Sequence, residues 1–280
     1  MNGQGATRAW GPGRFVLPRD IPLDEYPGPD VFLHEGRRLV DEATARGLTI
    51  RVMGPLALHY YFPERIDLYA RLERLGERYF TDIDLASYAK QGSKLIPFMR
   101  EMGYDTDLET MALSGDTRQI YFGGAVPMID VFFDKLDYCH EVRFRDRLEL
   151  DPHCIALTDI LLQKLQIVEI NDKDLKDIEF LLVAGEIGDD DRAKINGDYI
   201  AKRFADDWGF WYTATQLNVP KVKSHCETVP ALSAEMRELV RGKADALLAR
   251  IDEEPKTRAW NRRAKKGTSK TWYQEGFSDW

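Results

Sequence analysis

Phe80-Thr81-Asp82-Ile83-Asp84-Leu85-Ala86 places two carboxylates two positions apart among apolar residues. In an extended strand, residues i and i+2 share a face, so Asp82 and Asp84 project side by side while Ile83 and Leu85 point into a core. Like charges held that close repel unless a cation lies between them, and hard divalent cations take oxygen ligands. An ordinary acidic strand edge gives the same pattern, so the reading turns on what flanks it.

Upstream, residues 1–30 are rich in Gly and Pro without periodicity and read as a flexible or wrapping arm. Asp30 is placed to cap a helix over 31–46, stopped at Gly47. The run 48–53 reads as a strand and ends at Gly54-Pro55-Leu56-Ala57-Leu58. Glycine at a strand-to-helix junction lets the backbone approach a ligand, and the amides that follow suit phosphate, although Pro55 removes one donor. Apolar spacing at Ile66, Leu68, Leu72 and Leu75 predicts an amphipathic helix over 64–78.

Downstream, a helix is expected over 87–102, then strands at 108–113, 117–122 and 127–133, with a further one over 141–150. Asp130 lies in the third of these, Met128-Ile129-Asp130-Val131-Phe132-Phe133, as one acid in an apolar strand. If that strand neighbours the first, Asp130 joins Asp82 and Asp84 around one or two cations. From Ala156 the pattern turns helical, with helices starting at Thr158 or Asp159, at Asp172 (to Gly185), and over 195–208 and 232–251. The expected divisions are an arm at 1–30, an α/β core at 31–150, a helical region at 151–254 and a tail at 255–280.

Other groups have structural readings. His59 suits a hydrogen-bonded core histidine, and the pairs Cys139/His140 and His153/Cys154 lack metal-ligand spacing. Trp208-Gly209-Phe210-Trp211-Tyr212 reads as a packed aromatic cluster, with base stacking as the alternative.

A 44% hydrophobic and 31% charged composition is that of a globular chain, and three unpaired-looking cysteines argue against a disulfide framework. No apolar run approaches membrane-spanning length and no signal core opens the chain, so a cytoplasmic protein without membrane contact is expected. A net charge of -8 excludes a general nucleic-acid binder by charge, but the tail carries Lys256, Arg258, Arg262, Arg263, Lys265, Lys266 and Lys270 against Glu275 and Asp279.

With the glycine turn, Asp82-Ile83-Asp84 and Asp130 in hand, the chain resembles the nucleotidyltransferase superfamily with a polymerase-β-like core. Leu161-Leu162-Gln163-Lys164-Leu165-Gln166, followed by Lys173-Asp174-Leu175-Lys176-Asp177-Ile178, is similar to the helical segment of its abortive-infection-type group, which includes toxins of toxin–antitoxin pairs. The resemblance spans residues 48–185. Pro55 replaces the small or hydroxyl residue of the family turn, and the spacing from Gly54 to Asp82 is longer than the family's.

The resemblance implies an α+β fold, a mixed sheet flanked by helices with a mostly helical C-terminal region. It implies that Asp82, Asp84 and Asp130 bind magnesium, two ions being expected, and that Asp130 helps deprotonate an acceptor hydroxyl. Gly54 and Pro55 would face the nucleotide, Lys164 would join the catalytic set by contacting its phosphates, and Asp174 and Asp177 would position the nucleotide or the lysine. Outside the family, Lys164 reads as a solvated helix lysine and the two aspartates as charges near a helix N-terminus. The implied reaction transfers a nucleoside monophosphate from an NTP to a hydroxyl of RNA or tRNA, a protein or a small molecule, with an antitoxin as a partner. The rival is a non-catalytic nucleotide-binding or interaction protein that keeps the fold.

Overall fold

The computed structural model describes Trp10, residues 15–76, residues 78–106, Met111 and residues 114–275. It is an α+β fold built around a five-stranded mixed sheet: β1 (Ile50–Val52), β2 (Ile83–Ser87), β3 (Tyr104–Asp105), β4 (Arg118–Gly123) and β5 (Met128–Phe133), in the order β1-β2-β5-β4-β3. β2 and β5 run parallel, and the other pairings are antiparallel. Ile83, Leu85, Ile129 and Val131 are fully buried, as their alternation requires.

The chain divides into two compact units, each assembled from separated stretches. Met1–Ala57, Leu75–Asp134 and Pro152–Cys154 form a sheet unit; Leu58–Arg74, Lys135–Asp151 and Ile155–Trp280 form a helical unit. The extra residues between the glycine turn and the aspartate strand thus belong to the helical unit.

In the sheet unit, helix Pro29–Ala45 starts one residue before the expected cap, with Gly28 at the N-cap and Pro29 at the first helical position. At the described end of the arm, Ile21 is buried, and Arg78 donates to its carbonyl at 2.7 Å. The helix expected over 87–102 begins only at Gly92 (Gly92–Glu101), because Ser87 pairs with Ile50 and donates its hydroxyl to Thr49 at 2.7 Å. The expected strand at 108–113 lies, Met111 apart, outside the described residues.

The helix expected over 64–78 shrinks to a 3-10 turn and Ile66–Arg71 in the helical unit, since Glu73 takes a left-handed backbone; Leu75, which bridges back to Arg78, already belongs to the sheet unit. The strand expected over 141–150 is β7 (Glu141–Arg143) alone, paired with β6 (Lys135–Asp137). Beyond it the chain coils because Arg147 turns inward, its Nε 2.7 and 2.8 Å from the two oxygens of Asp159. That pair pre-empts Asp159 as a cap. Helix Leu157–Leu165 starts after Ala156, while Thr158 donates to Asp191 at 2.6 Å and accepts from the Asn196 amide at 2.8 Å.

Asn171, not Asp172, caps helix Asp172–Ala184, and Asn196 and Ser233 cap Gly197–Asp206 and Ala234–Glu253. A short parallel pair, β8 (Ile187–Gly188) and β9 (Ile195–Asn196), precedes the Asn196 cap. Among the described residues no helix is long and apolar enough to cross a membrane, and all three cysteines are free.

Candidate functional site

Strand register decides which acids meet. Asp84 and Asp130 are direct partners on the parallel strands β2 and β5, so their side chains share one face, about one strand spacing apart, some 4.8 Å. Asp82 lies one residue before β2 rather than within it, half-buried, its carboxylate accepting the Thr81 hydroxyl at 2.8 Å. Its charge still reaches Asp130, whose ionisation it opposes.

Asp130 is 2% exposed, and burial raises its pKa to about 6, against hydrogen bonds and attraction from Arg118 that lower it. Arg118 stands diagonally across the β4–β5 pairing, opposite Phe132, with its guanidinium over that ring. Its Nε lies 2.9 and 2.8 Å from the two Asp130 oxygens, and its Nη2 pairs with one of them.

The glycine turn abuts these acids. Met53 donates its amide to the Asp84 carbonyl at 2.9 Å, and Gly54 then turns with φ of +63° into helix Gly54–Tyr61. A Cβ on Gly54 would lie 3.2 Å from an Asp84 carboxylate oxygen. Glycine suits the backbone conformation, and a side chain there would also crowd Asp84. Pro55 occupies the first turn of that helix.

Lys164, Asp174 and Asp177 come together in the helical unit. The ammonium is 2.6 Å from Asp174 and 3.0 Å from Asp177, and both carboxylates are buried. Arg74 reaches Asp177 at 2.7 Å and the Tyr69 hydroxyl donates to it at 2.8 Å. Burial opposes the charge on Asp177, but Arg74 and Lys164 outweigh it and hold its pKa below the usual range. Neither the lysine nor the aspartates sit on a solvated face.

Two residues had no signal in the sequence. Tyr26, in the aperiodic arm, donates its hydroxyl to the Thr81 carbonyl at 2.5 Å, beside Asp82, and Arg78 stacks over its ring. Arg118 was invisible because its role exists only once β4 is known to flank β5. Two histidines, His59 and His140, take structural places. His59 is buried edge-on to Tyr69; His140 stacks on Phe210, and burial pushes its pKa down to about 4, so it is neutral.

Among the described residues no group of three or more His, Cys, Asp or Glu side chains can hold a metal ion by itself. A cation at Asp82 and Asp84 would therefore complete its shell from outside the protein. Magnesium fits that requirement, since it binds through one or two carboxylates plus waters and substrate phosphates.

No family model matches the chain, and no curated protein matches it. Among solved structures it is similar to the solution structure of the antibiotic-resistance factor ANT(2'')-Ia, at 14% identity over 80% of this chain and 95% of that one, with a TM-score of 0.31. An overlap at that TM-score does not establish kinship, so the functional reading stands on the geometry of the acids and the glycine turn.

Proposed function

We propose that the sheet unit is the catalytic core of a magnesium-dependent nucleotidyltransferase, moving a nucleoside monophosphate from an NTP to a hydroxyl-bearing acceptor. The observation that carries it is the register pairing of Asp84 with Asp130, with the Gly54 turn against Asp84. Asp82 and Asp84 are the residues that would hold the ion, and Tyr26 and Thr81 fix the approach to Asp82. Bound there, the ion supplies charge neutralisation to the phosphoryl group and the departing pyrophosphate. Gly54 leaves room for the phosphate chain where any other residue would place a Cβ. Asp130 has a pKa of about 6, is ionised at neutral pH, and accepts the acceptor's proton as the oxygen attacks the α-phosphorus and the bond to pyrophosphate breaks.

Incubation of the protein with α-labelled NTPs and cell extract tests the reading. Transfer of label in the wild type, lost in Asp82→Asn and Asp84→Asn variants that keep their circular-dichroism spectrum, is the expected result. Unchanged transfer in those variants would remove the metal assignment.

The clamp of Arg118 on both Asp130 oxygens favours a second reading, nucleotide binding without turnover. That reading predicts calorimetric NTP binding with no labelled product.

A further inference from the structure

The helical unit holds a second constellation, built from the aromatic run at 208–212 and the basic C-terminal segment. That segment folds back as helix Arg258–Ala264, capped by Thr257, whose own amide donates to the Ala205 carbonyl at 2.9 Å. Trp260 packs edge-on against Trp211 and Trp272 against Tyr212, each with ring centroids 5.1 Å apart. The Trp272 indole donates to the Thr213 hydroxyl at 3.0 Å, which also pairs with His140 at 2.8 Å. A Cβ at position 209 would lie 2.3 Å from the Trp272 carbonyl oxygen, so glycine is what lets the returning chain rest on the backbone. Residues Tyr212–Asn218, which continue the aromatic run, wind as a π-helix.

Between these runs lies an open cleft of about 620 Å³, with Trp208, Trp260, Lys270 and Tyr273 among its walls and Glu141, Asp206 and Asp207 lining it as well. Arg263 is fixed over the Trp208 ring at 4.5 Å by bonds to the carbonyls of Gly267 and Lys270. Some cations elsewhere in this unit are paired, as in Arg203 with Asp207 and Lys223 with Asp245, while Arg65, Arg71, Lys202 and Lys221 are exposed cations outside the segment. Arg258, Arg262, Lys265, Lys266 and Lys270 are all exposed, and no ion pair to a described residue involves any of them.

We infer that this cleft binds single-stranded nucleic acid, bases lying against its aromatic walls and phosphates along the basic segment. Indole and phenol faces accept any base, and stacked guanidinium adds cation–π attraction. Five unneutralised cations spread over residues 258–270 suit a chain of phosphates rather than a single one. On a chain of net charge -8, the segment is a local concentration of positive charge. The inference does not depend on the transferase reading, because binding needs neither NTP nor metal.

Fluorescence anisotropy of the full chain with labelled U12 and dT12 oligonucleotides, without NTP or metal, tests it. Either oligonucleotide should bind in a salt-dependent manner, and tighter binding of U12 would add ribose contacts to the phosphate and base contacts. The exposed-surface variant Arg262→Glu/Lys265→Glu/Lys270→Glu should weaken binding at least tenfold and reduce the salt slope by about 2, at roughly 0.7 per phosphate contact. Tyr273→Ala should weaken binding roughly fivefold or more by losing a stacking surface while leaving the slope unchanged. No binding of either oligonucleotide, or full affinity in the triple variant, would overturn the inference. So would retention on phosphatidylserine vesicles without oligonucleotide binding, which would make the segment a membrane-surface contact.

Discussion

Burial pulls Asp130 toward its neutral form while Arg118 pulls it back, and the balance near pH 6 gives the proposed transfer an acid limb. Transfer should fall as pH drops below about 6, and Arg118→Gln, which removes the cation that lowers the pKa, should move that limb upward. A pH–rate profile of the two proteins reads it directly. The stability sign is opposite to that of an ordinary ion-paired acid. Because the folded pKa exceeds the unfolded one, the protonated form favours folding, and this group's contribution declines as pH rises from about 4 to about 6. Gly54→Ala places a side chain in a left-handed backbone and against Asp84; it should cost about 1–2 kcal/mol of stability by urea denaturation, and transfer with it. The positions of Asp84 and Gly54 were legible because strand alternation and glycine turns are local, whereas Asp82 falls one residue before the strand that was to hold it. The Asp130–Arg118 pair was not legible, since a diagonal contact across two strands needs the strand order first.

Helix starts show where local reading stops. Thr158 and Asp159 have the chemistry of caps, yet the helix begins before them because Arg147 and Asp191, distant in sequence, bind them more strongly than the helix amides. The short helix Ile66–Arg71 makes the same point: Glu73 reverses the chain, which leaves Arg74 to meet Asp177. Lys164, Asp174, Asp177 and Arg74 bind three chain segments of the helical unit through buried charge. Lys164→Met leaves two buried carboxylates facing Arg74 alone and should cost about 3–5 kcal/mol, measured by urea denaturation. The sequence placed the lysine and the two aspartates on neighbouring helices. Their burial depends on Tyr69 and Arg74, which precede them by some ninety residues or more.

On the scale of the molecule, one clamp ties stability to pH and one topology ties folding to chain order. His225 lies 2.7 Å from Glu179 and 3.0 Å from Asp172, joining helix Val219–His225 to Asp172–Ala184. Burial opposes its charge, but hydrogen bonds and attraction from Glu179 and then Asp172 outweigh burial and raise its pKa. Its contribution is full below the unfolded pKa and is lost as pH rises through the raised folded value. His225→Gln should therefore flatten the dependence of the urea midpoint on pH above about 6.5, the ordinary histidine value.

The interleaved units carry a different consequence, for synthesis. Val52 on β1 donates to the His153 carbonyl at 2.8 Å and bridges Cys154, the last stretch of the sheet unit. At about 5–20 residues per second, the hundred or so residues between them leave that edge of β1 without its partner for roughly 5–20 s. An unpaired strand edge is a template for other chains. A nascent chain is thus most open to misassociation before Cys154 emerges, whatever the stability of the finished protein.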